Sequence, residues 1–382
     1  MLWNDKSLRA RSRTFSPTRA FSATGAFRLT RALCLAAGLC LSAAPLAAQE
    51  AHLQQPVARQ SVDNGAAVLM YHRFGEDSLP STSVRLEQFE AHLAELTSGK
   101  YRVMALPEIL ARLNSGEALP EHAVAITIDD AVLSVYREAW PRLKAAGLPV
   151  TIFVSSEPLD LGLPSYMSWA QLREMAADPL VTIGHHGHAH AHMAWQSPAQ
   201  QRADLAEASA SFTAELGAAP QLFAYPYGEA SLALRQSVID AGFTAAFGQH
   251  SGALGEMSDR FTLPRFPLNE AYGDMDRFRL VVNALPLPVD GITPAEMSVS
   301  EASQNPPNFG FTVAAGLDNL GGLNCFASAG EPEVVKLYQR IELRFATALP
   351  AGRVRINCTL RDDSGRWRWF GTQFVVAKEA VR

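Results

Sequence analysis

Two clusters of possible metal ligands lie 55 residues apart in this sequence. The first is the acidic pair Asp129-Asp130, and the second is a run from His185 to His192 that holds five of the ten histidines of the chain. Two histidines and one carboxylate suit Zn²⁺ or a similar divalent ion, with positions left open for water and substrate. The carboxylate that is not a ligand can then act as a base toward water. This combination predicts a metal-dependent hydrolase.

The spacing of the histidines leaves the identity of the ligands open. His186 and His190 are four residues apart, and so are His188 and His192, while His185 adds further pairings. An acidic pair after a strand can also be a helix N-cap. A cluster of five histidines is not explained by core packing, however, so the metal site is the better interpretation.

Each cluster follows a short apolar run that is typical of a buried strand, at 123–128 and 180–184. From residue 67 onward such runs alternate with helical patterns, which predicts βαβ units and a parallel sheet. Active sites of parallel barrels gather at the carboxyl ends of the strands, so distant residues can converge there. The strands are predicted at 68–71, 124–128, 150–154, 181–183, 222–225 and 261–266, and the helices at 86–96, 135–146, 168–177, 199–216 and 231–241.

The pattern changes near residue 285, where a proline-rich stretch without helical periodicity begins. It is followed by runs typical of β-strands at 309–313, 334–345, 354–360 and 366–376, with a hairpin turn signal at 362–365. We therefore predict a linker over 285–308 and a small antiparallel β-sandwich-like domain over 309–382.

A third motif, Tyr-Pro-Tyr-Gly at 225–228, follows the apolar run 222–224. In this order the three motifs resemble the polysaccharide deacetylases, the NodB-homology carbohydrate esterases. The motifs of that family read Thr-Phe-Asp-Asp, His-Ser/Thr-x-x-His and Arg-x-Pro-Tyr-Gly. The resemblance covers residues 66 to about 280 and implies a distorted parallel (β/α) barrel, which we place at 66–284.

The resemblance also implies roles for individual residues. Asp129 is the implied catalytic base, and Pro226, Tyr227 and Gly228 are implied to line one wall of the substrate groove. The implied ligands of Zn²⁺, or of Co²⁺, Ni²⁺ or Fe²⁺ in its place, are Asp130, His186 and His190.

The implied activity is removal of N-acetyl groups, with O-acetyl groups as an alternative, from an acetylated polysaccharide. The Tyr-His pair at 71–72 is similar to the subgroup that acts on exported N-acetylglucosamine polymers. The alternatives are a catalytically inactive carbohydrate-binding protein of the same fold and a small-molecule amide hydrolase. Retention of both aspartates and both histidines argues against the inactive protein.

The sequence departs from the family pattern at three places. Ala224 stands where the third motif has arginine, Gly187 stands between the histidines in place of Ser or Thr, and no late Leu-x-His motif is present. We predict that His72 replaces the usual general acid, with His250 as an alternative. Arg265 is predicted to be one of the substrate-binding residues. It is also predicted to replace the positive charge that is missing at position 224, through a bidentate contact with Asp129.

The N-terminus has the pattern of a secretory signal. Residues 1–31 hold seven basic residues and one acidic residue, and 32–48 is almost wholly apolar and ends in small residues. We predict cleavage after Ala48, a flexible lead-in over 49–65, and a periplasmic or secreted protein without stable membrane insertion. The alternative is an uncleaved membrane anchor.

Cleavage would change the net charge from −5 to −11, because it removes those seven basic residues and the one acid. An acidic exported protein is a poor binder of nucleic acid, so we expect no such partner. Only Cys325 and Cys358 would remain. In an oxidising compartment they can form a disulfide, and the alternative is two buried thiols.

Overall fold

The computed structural model of the protein describes residues 62–317 and 319–381. The predicted signal peptide, and the predicted lead-in up to residue 61, lie outside the described residues. Among the helices of the described part, none has the length and apolar content needed to cross a membrane.

The first part of the described chain alternates strands with helices around one curled sheet, and the short strands Arg73–Phe74 and Ser83–Val84 form a separate two-stranded sheet. The strands are β1 (Gly65–Tyr71), β2 (Arg73–Phe74), β3 (Ser83–Val84), β4 (Arg102–Val103), β5 (Ala123–Asp129), β6 (Val150–Val154), β7 (Val181–His185), β8 (Leu222–Ala224), β9 (Ala245–Phe247), β10 (Ala253–Gly255) and β11 (Phe266–Pro267). The helices are α1 (Leu86–Leu96), α2 (Leu106–Ser115), α3 (Trp140–Ala146), α4 (Glu157–Asp160), α5 (Trp169–Ala176), α6 (Pro198–Leu216), α7 (Leu232–Asp240) and α8 (Met275–Val282), and a π-helical turn (Val135–Ala139) precedes α3.

Six strands, β1, β5, β6, β7, β8 and β9, lie side by side in sequence order and pair in parallel. Strands β5 and β6 are buried along their whole length. Such strands are mostly apolar because helices cover the outer face and side chains fill the inner one. The predicted distorted parallel barrel is confirmed.

The barrel closes through the segment that leads into β11. Leu263 forms a parallel bridge with Phe247 of β9, and Phe266 pairs in parallel with Leu69 of β1. The segment 263–266, here called the closing segment, therefore contacts both edges of the sheet. It is less regular than the strand predicted over 261–266, because its first residue pairs with β9 and its last residue pairs with β1. Arg265 lies in its middle and is fully buried.

The C-terminal part of the chain forms two further sheets. Their strands are β12 (Leu285–Pro286), β13 (Val289–Thr293), β14 (Ser298–Val299), β15 (Phe309–Val313), β16 (Asn324–Ala327), β17 (Glu333–Leu337), β18 (Arg340–Arg344), β19 (Gly352–Arg361) and β20 (Trp367–Val376). One sheet has the order β12-β20-β19-β16 with β14 beside β20, and the other has the order β13-β15-β18-β17. Phe311 and Ile341 of one sheet share a core with Phe374 of the other, so the sandwich-like fold is confirmed.

The segment predicted as a linker, 285–308, contributes β12, β13 and β14 instead of connecting two domains freely. Pro286 lies in β12 at the edge of its sheet, and an edge strand accommodates proline because one side needs no backbone donor. The density of prolines was therefore a misleading signal. The predicted disulfide is confirmed: Cys325 in β16 lies opposite Cys358 in β19, and the two are bonded.

Candidate active site

Asp129, the last residue of β5, is fully buried and faces Arg265 of the closing segment. The guanidinium binds it with two hydrogen bonds, Nη1 to Oδ1 at 2.6 Å and Nη2 to Oδ2 at 2.8 Å. Arg265 is itself held by Thr127 Oγ1, 3.2 Å from Nη1, and by the Gly248 carbonyl, 2.9 Å from Nε. A bidentate pair of this kind fixes both position and orientation of the carboxylate.

The same contact controls the charge of Asp129. Burial raises the pKa of this carboxyl group, but Arg265, His186 and His72 together lower it more, so the pKa lies below its usual value. Asp129 is thus an anion at neutral pH in a place where an unpaired carboxylate would be costly. The prediction that Arg265 contacts substrate is not supported, because its side chain is fully buried against Asp129.

Asp130, His186 and His190 converge beside Asp129. Asp130 Oδ1 lies 3.5 Å from His186 Nε2 and 3.2 Å from His190 Nε2, and one ligand atom from each residue lies within 4.8 Å of the other two. Asp130 and His190 both have left-handed backbones, with φ of 75° and 48°. Such conformations are uncommon outside glycine and concentrate at functional sites.

The chemistry of these atoms fits a divalent cation. His186 Nδ1 lies 2.7 Å from the Ala224 carbonyl, so Nδ1 carries the proton and Nε2 presents a lone pair. Within the described residues, neither His186 Nε2 nor Asp130 Oδ1 has a hydrogen-bond partner, although both are buried. Ligands of a tetrahedral zinc site lie about 3.4 Å apart, close to the two separations found here. Asp130, His186 and His190 would therefore hold the ion.

The other histidines of the cluster point elsewhere. His188 Nδ1 lies 2.8 Å from Ser156 Oγ, and His192 Nδ1 lies 2.8 Å from Glu229 Oε2. His185 is buried, and its Nδ1 accepts a hydrogen bond from the Gly187 N–H at 3.0 Å. The structure thus joins the pair His186 and His190 to Asp130, and it does not join His188 and His192 to it.

Glycine at 187 has a local reason. Its φ is 77°, and a Cβ there would lie 2.9 Å from Asp204 Oδ1. The Asp204 carboxylate accepts hydrogen bonds from the His188 and Ala189 N–H groups and so shapes the loop between the ligands. This departure from the family pattern therefore goes with a tight turn that suits glycine.

Tyr227 forms one wall of the site. Its ring is partly exposed and lies 4.5 Å from the His190 ring and 4.2 Å from the His192 ring, between centroids. Pro226 and Gly228, predicted to line the same wall, are buried and form the turn that presents Tyr227. A Cβ at Gly228 would lie 2.5 Å from the Gln249 backbone nitrogen, so this turn packs closely against the next loop.

His72 reaches the site from the end of β1. Its Nε2 lies 3.9 Å from Asp129 Oδ2, and the Gln249 amide nitrogen lies 3.5 Å from the same Nε2. Burial lowers the pKa of His72 more than Asp130 and Asp129 raise it, so the imidazole is neutral at pH 7. The alternative acid, His250, lines a cavity of about 490 Å³ between the barrel and the C-terminal sheets, and burial lowers its pKa to about 4.

Sequence reasoning missed three residues around the Tyr227 turn. Gln249 lies in a loop, and Gln373 and Arg353 come from the C-terminal sheets. None of them belongs to a motif, and the two from β20 and β19 lie more than a hundred residues further along the chain. The packing of the sheets against the barrel brings them there, and no local pattern reports that packing.

Two aspartates and two histidines at the strand ends of a parallel barrel are an arrangement that suits hydrolysis. In a comparison with known proteins, residues 116–246 match the family model described as polysaccharide deacetylase. All three motifs lie within this segment, while His72 and Arg265 lie outside it. The resemblance to the polysaccharide deacetylases is thereby confirmed over this segment.

Individual relatives agree with the family. YxkH of Bacillus subtilis, named for polysaccharide deacetylation, is 25% identical over 198 residues, which cover 52% of this chain and 69% of that protein. The poly-β-1,6-N-acetyl-D-glucosamine N-deacetylase of Escherichia coli is 23% identical and matches 53% of this chain but 36% of its own length. The deacetylase PplD of Streptococcus pyogenes, solved with acetate, has a TM-score of 0.53 at 18% identity, covering 57% of this chain and 98% of PplD. The last likeness shows the fold.

Proposed function

We propose that this protein is an exported, metal-dependent deacetylase that hydrolyses the N-acetyl groups of a polysaccharide built from N-acetylglucosamine. The observation that carries the proposal is that a set of possible metal ligands lies beside a buried ion pair. Asp130, His186 and His190 form a ligand set with free lone pairs, and Asp129 beside them is held as an anion by Arg265. The name of the Escherichia coli relative supports the choice of polymer.

A divalent ion in the ligand set would supply Lewis-acid polarisation of the acetyl carbonyl and would lower the pKa of a water molecule. Asp129 accepts the proton of the attacking water, since both of its oxygens are already oriented. A backbone N–H near Tyr227 donates to the oxyanion as it develops. His72, neutral at rest and with its Nε2 3.9 Å from Asp129 Oδ2, receives that proton from Asp129 and donates it to the leaving nitrogen. The C–N bond breaks, and acetate and a free amino sugar result.

The direct test is acetate release from a panel of N-acetylated and O-acetylated glycans, before and after treatment with a chelator and again after addition of Zn²⁺. We expect release from N-acetylglucosamine polymers, loss with chelator and recovery with Zn²⁺. Asp129→Asn is the matched control, because it keeps the shape of the side chain but cannot accept the proton. Binding of glycan without acetate release would support the inactive carbohydrate-binding protein instead.

Export is tested separately, by the N-terminal sequence of the protein recovered outside the cytoplasm of a Gram-negative or Gram-positive host. We expect the chain to begin at Gln49, directly after Ala48. Recovery of the full-length chain in the membrane fraction would contradict cleavage.

A further inference from the structure

Strand β20 of the C-terminal sheets contacts the turn that presents Tyr227 to the active site. Gln373 in this strand is buried, with 5% of its surface exposed. Its Nε2 donates hydrogen bonds to the Gly228 carbonyl at 3.0 Å and to the Tyr227 carbonyl at 3.3 Å. One side chain from the C-terminal sheets thus holds two consecutive carbonyl groups of the barrel.

The turn needs support from outside. Tyr227 has φ of 60° and ψ of 5°, a left-handed conformation that a residue with a side chain adopts only at a cost. Residues in such conformations persist when the surrounding structure fixes them. The two hydrogen bonds from Gln373 fix the carbonyls of Tyr227 and of the next residue, Gly228, so they favour the turn in the shape that packs Tyr227 against His190.

A second strand of the same sheet reaches the same turn. Arg353 of β19 lies with its guanidinium carbon 5.4 Å from the centre of the Tyr227 ring, in cation–π range. Its Nε lies 3.9 Å from Glu229, and Glu229 also binds His192. The aromatic wall of the site is therefore contacted from β19 as well as from β20.

Close backbone packing joins β20 to the neighbouring loop too. A Cβ at Gly371 would lie 2.0 Å from the Ser251 carbonyl oxygen, so only glycine allows the strand to approach this closely. The same loop carries Gln249, whose amide nitrogen lies 3.5 Å from His72 Nε2. Strand β20 thus packs on the Tyr227 turn and on the loop that borders His72.

From these contacts we propose that the C-terminal sheets are part of the catalytic unit and that Gln373 is a positioning residue, which holds the Tyr227 turn in its working shape. This inference rests on the proposed deacetylase function. The sheets would then complete one wall of the active site, whatever else they bind.

The test compares Gln373→Met with Gln339→Met in the full chain. Methionine keeps the length of the side chain and removes the donors. Gln339 is a matched control, since it also donates to a backbone carbonyl in the C-terminal sheets, that of Leu317 at 3.3 Å. We measure acetate release, bound Zn²⁺, thermal unfolding, and hydrogen exchange of the peptide that covers residues 225–230.

For Gln373→Met we expect kcat to fall about tenfold, which corresponds to roughly 1.4 kcal/mol of transition-state stabilisation. Bound Zn²⁺ should stay at the wild-type level, and exchange of the 225–230 peptide should become faster, with Gln339→Met unchanged in both. A merely structural role would lower the unfolding temperature and leave kcat and local exchange as in the wild type. That result would overturn the proposal.

Failure of the variant to fold and failure of the proposed function can both be distinguished from failure of this inference. If Gln373→Met does not fold, Arg353→Met, at an exposed position, tests the same turn, and unchanged exchange of the 225–230 peptide would then reject the inference. If the wild type releases no acetate from any glycan, the proposed function fails. The exchange measurement still decides whether the C-terminal sheets hold the Tyr227 turn.

Discussion

Replacement of Arg265 by methionine should leave the buried carboxylate of Asp129 without its ion-pair partner. Methionine keeps much of the apolar stem but removes the guanidinium. The Asp129 carboxylate would then be fully buried without the two hydrogen bonds of 2.6 and 2.8 Å that now bind it. Arg265 shows no exposed surface, so water cannot take its place without a rearrangement of the closing segment.

The magnitude follows from the burial of both partners. Removal of one member of a buried ion pair costs about 3–5 kcal/mol, because the other charge stays behind unpaired. Asp129→Asn should cost a similar amount for the same reason. The double variant leaves no unpaired charge, so it should be less destabilised than the sum of the two by about 2–4 kcal/mol.

The loss of stability in Arg265→Met should be larger at neutral pH than at acidic pH. In the wild type the pKa of Asp129 is depressed, so its contribution to stability is present above the unfolded-state pKa and lost as pH falls through the folded-state value. In Arg265→Met the largest cause that lowers this pKa is lost and only His186 and His72 oppose burial, so the pKa rises relative to the wild type and the stabilising contribution at neutral pH is reduced. The two proteins should therefore differ most at neutral pH and least below about pH 4.

Urea unfolding with chelator present measures these differences without a contribution from bound metal. In parallel, the acidic limb of the turnover profile should move to higher pH in Arg265→Met, and turnover at pH 7 should fall by about 10²–10⁴-fold. Arg368→Met is the control, since Arg368 is also buried but pairs with Asp63. Additive free energies in the double variant, together with an unchanged pH profile, would refute the reasoning.

Three other predictions test the rest of the site. His186→Ala should lose bound metal and activity, whereas His188→Ala should keep the metal; elemental analysis that shows the reverse would exchange the two ligand assignments. Asp129→Asn should keep the metal and lower turnover by about 10²–10⁴-fold, and wild-type turnover would remove it from the role of base. The Cys325–Cys358 bridge spans 33 residues, so replacement of both cysteines by alanine should cost about 2–4 kcal/mol in unfolding free energy; two free thiols in the unfolded, unreduced wild type would reject the bridge.

The regular elements with strong local patterns could be predicted from the sequence. Helix α1 and the strands β6 and β15 have the predicted bounds 86–96, 150–154 and 309–313, because apolar spacing within each run dictates which face is buried. Helices α2 and α8 were missed, although α8 begins after Asp274, a side-chain cap that is visible in the sequence. The short strands β9 to β12 carry too few residues for a period to show.

The candidate site was predictable where strand ends meet. Asp129 ends a central strand and the histidine cluster begins at the end of another, so the topology of a parallel barrel was enough to bring the two clusters together. The choice of His186 and His190 within the second cluster came from the family resemblance. The partner of Asp129 could be named because a barrel must close and Arg265 lies in the closing segment. Gln373 and Arg353 could not be found in this way. Their contacts depend on how the C-terminal sheets pack against the barrel, and no local sequence pattern indicates that packing.

The closing segment also bears on the order in which the protein can fold. Arg265 and Asp129 are 136 residues apart in sequence, and contacts of such separation form late because the chain must first lose much loop entropy. Until the segment docks between β9 and β1, we expect the barrel to be open and Asp129 to be hydrated. Formation of the buried ion pair therefore coincides with closure of the barrel. Asp129 becomes buried and oriented in the same step in which the closing segment docks.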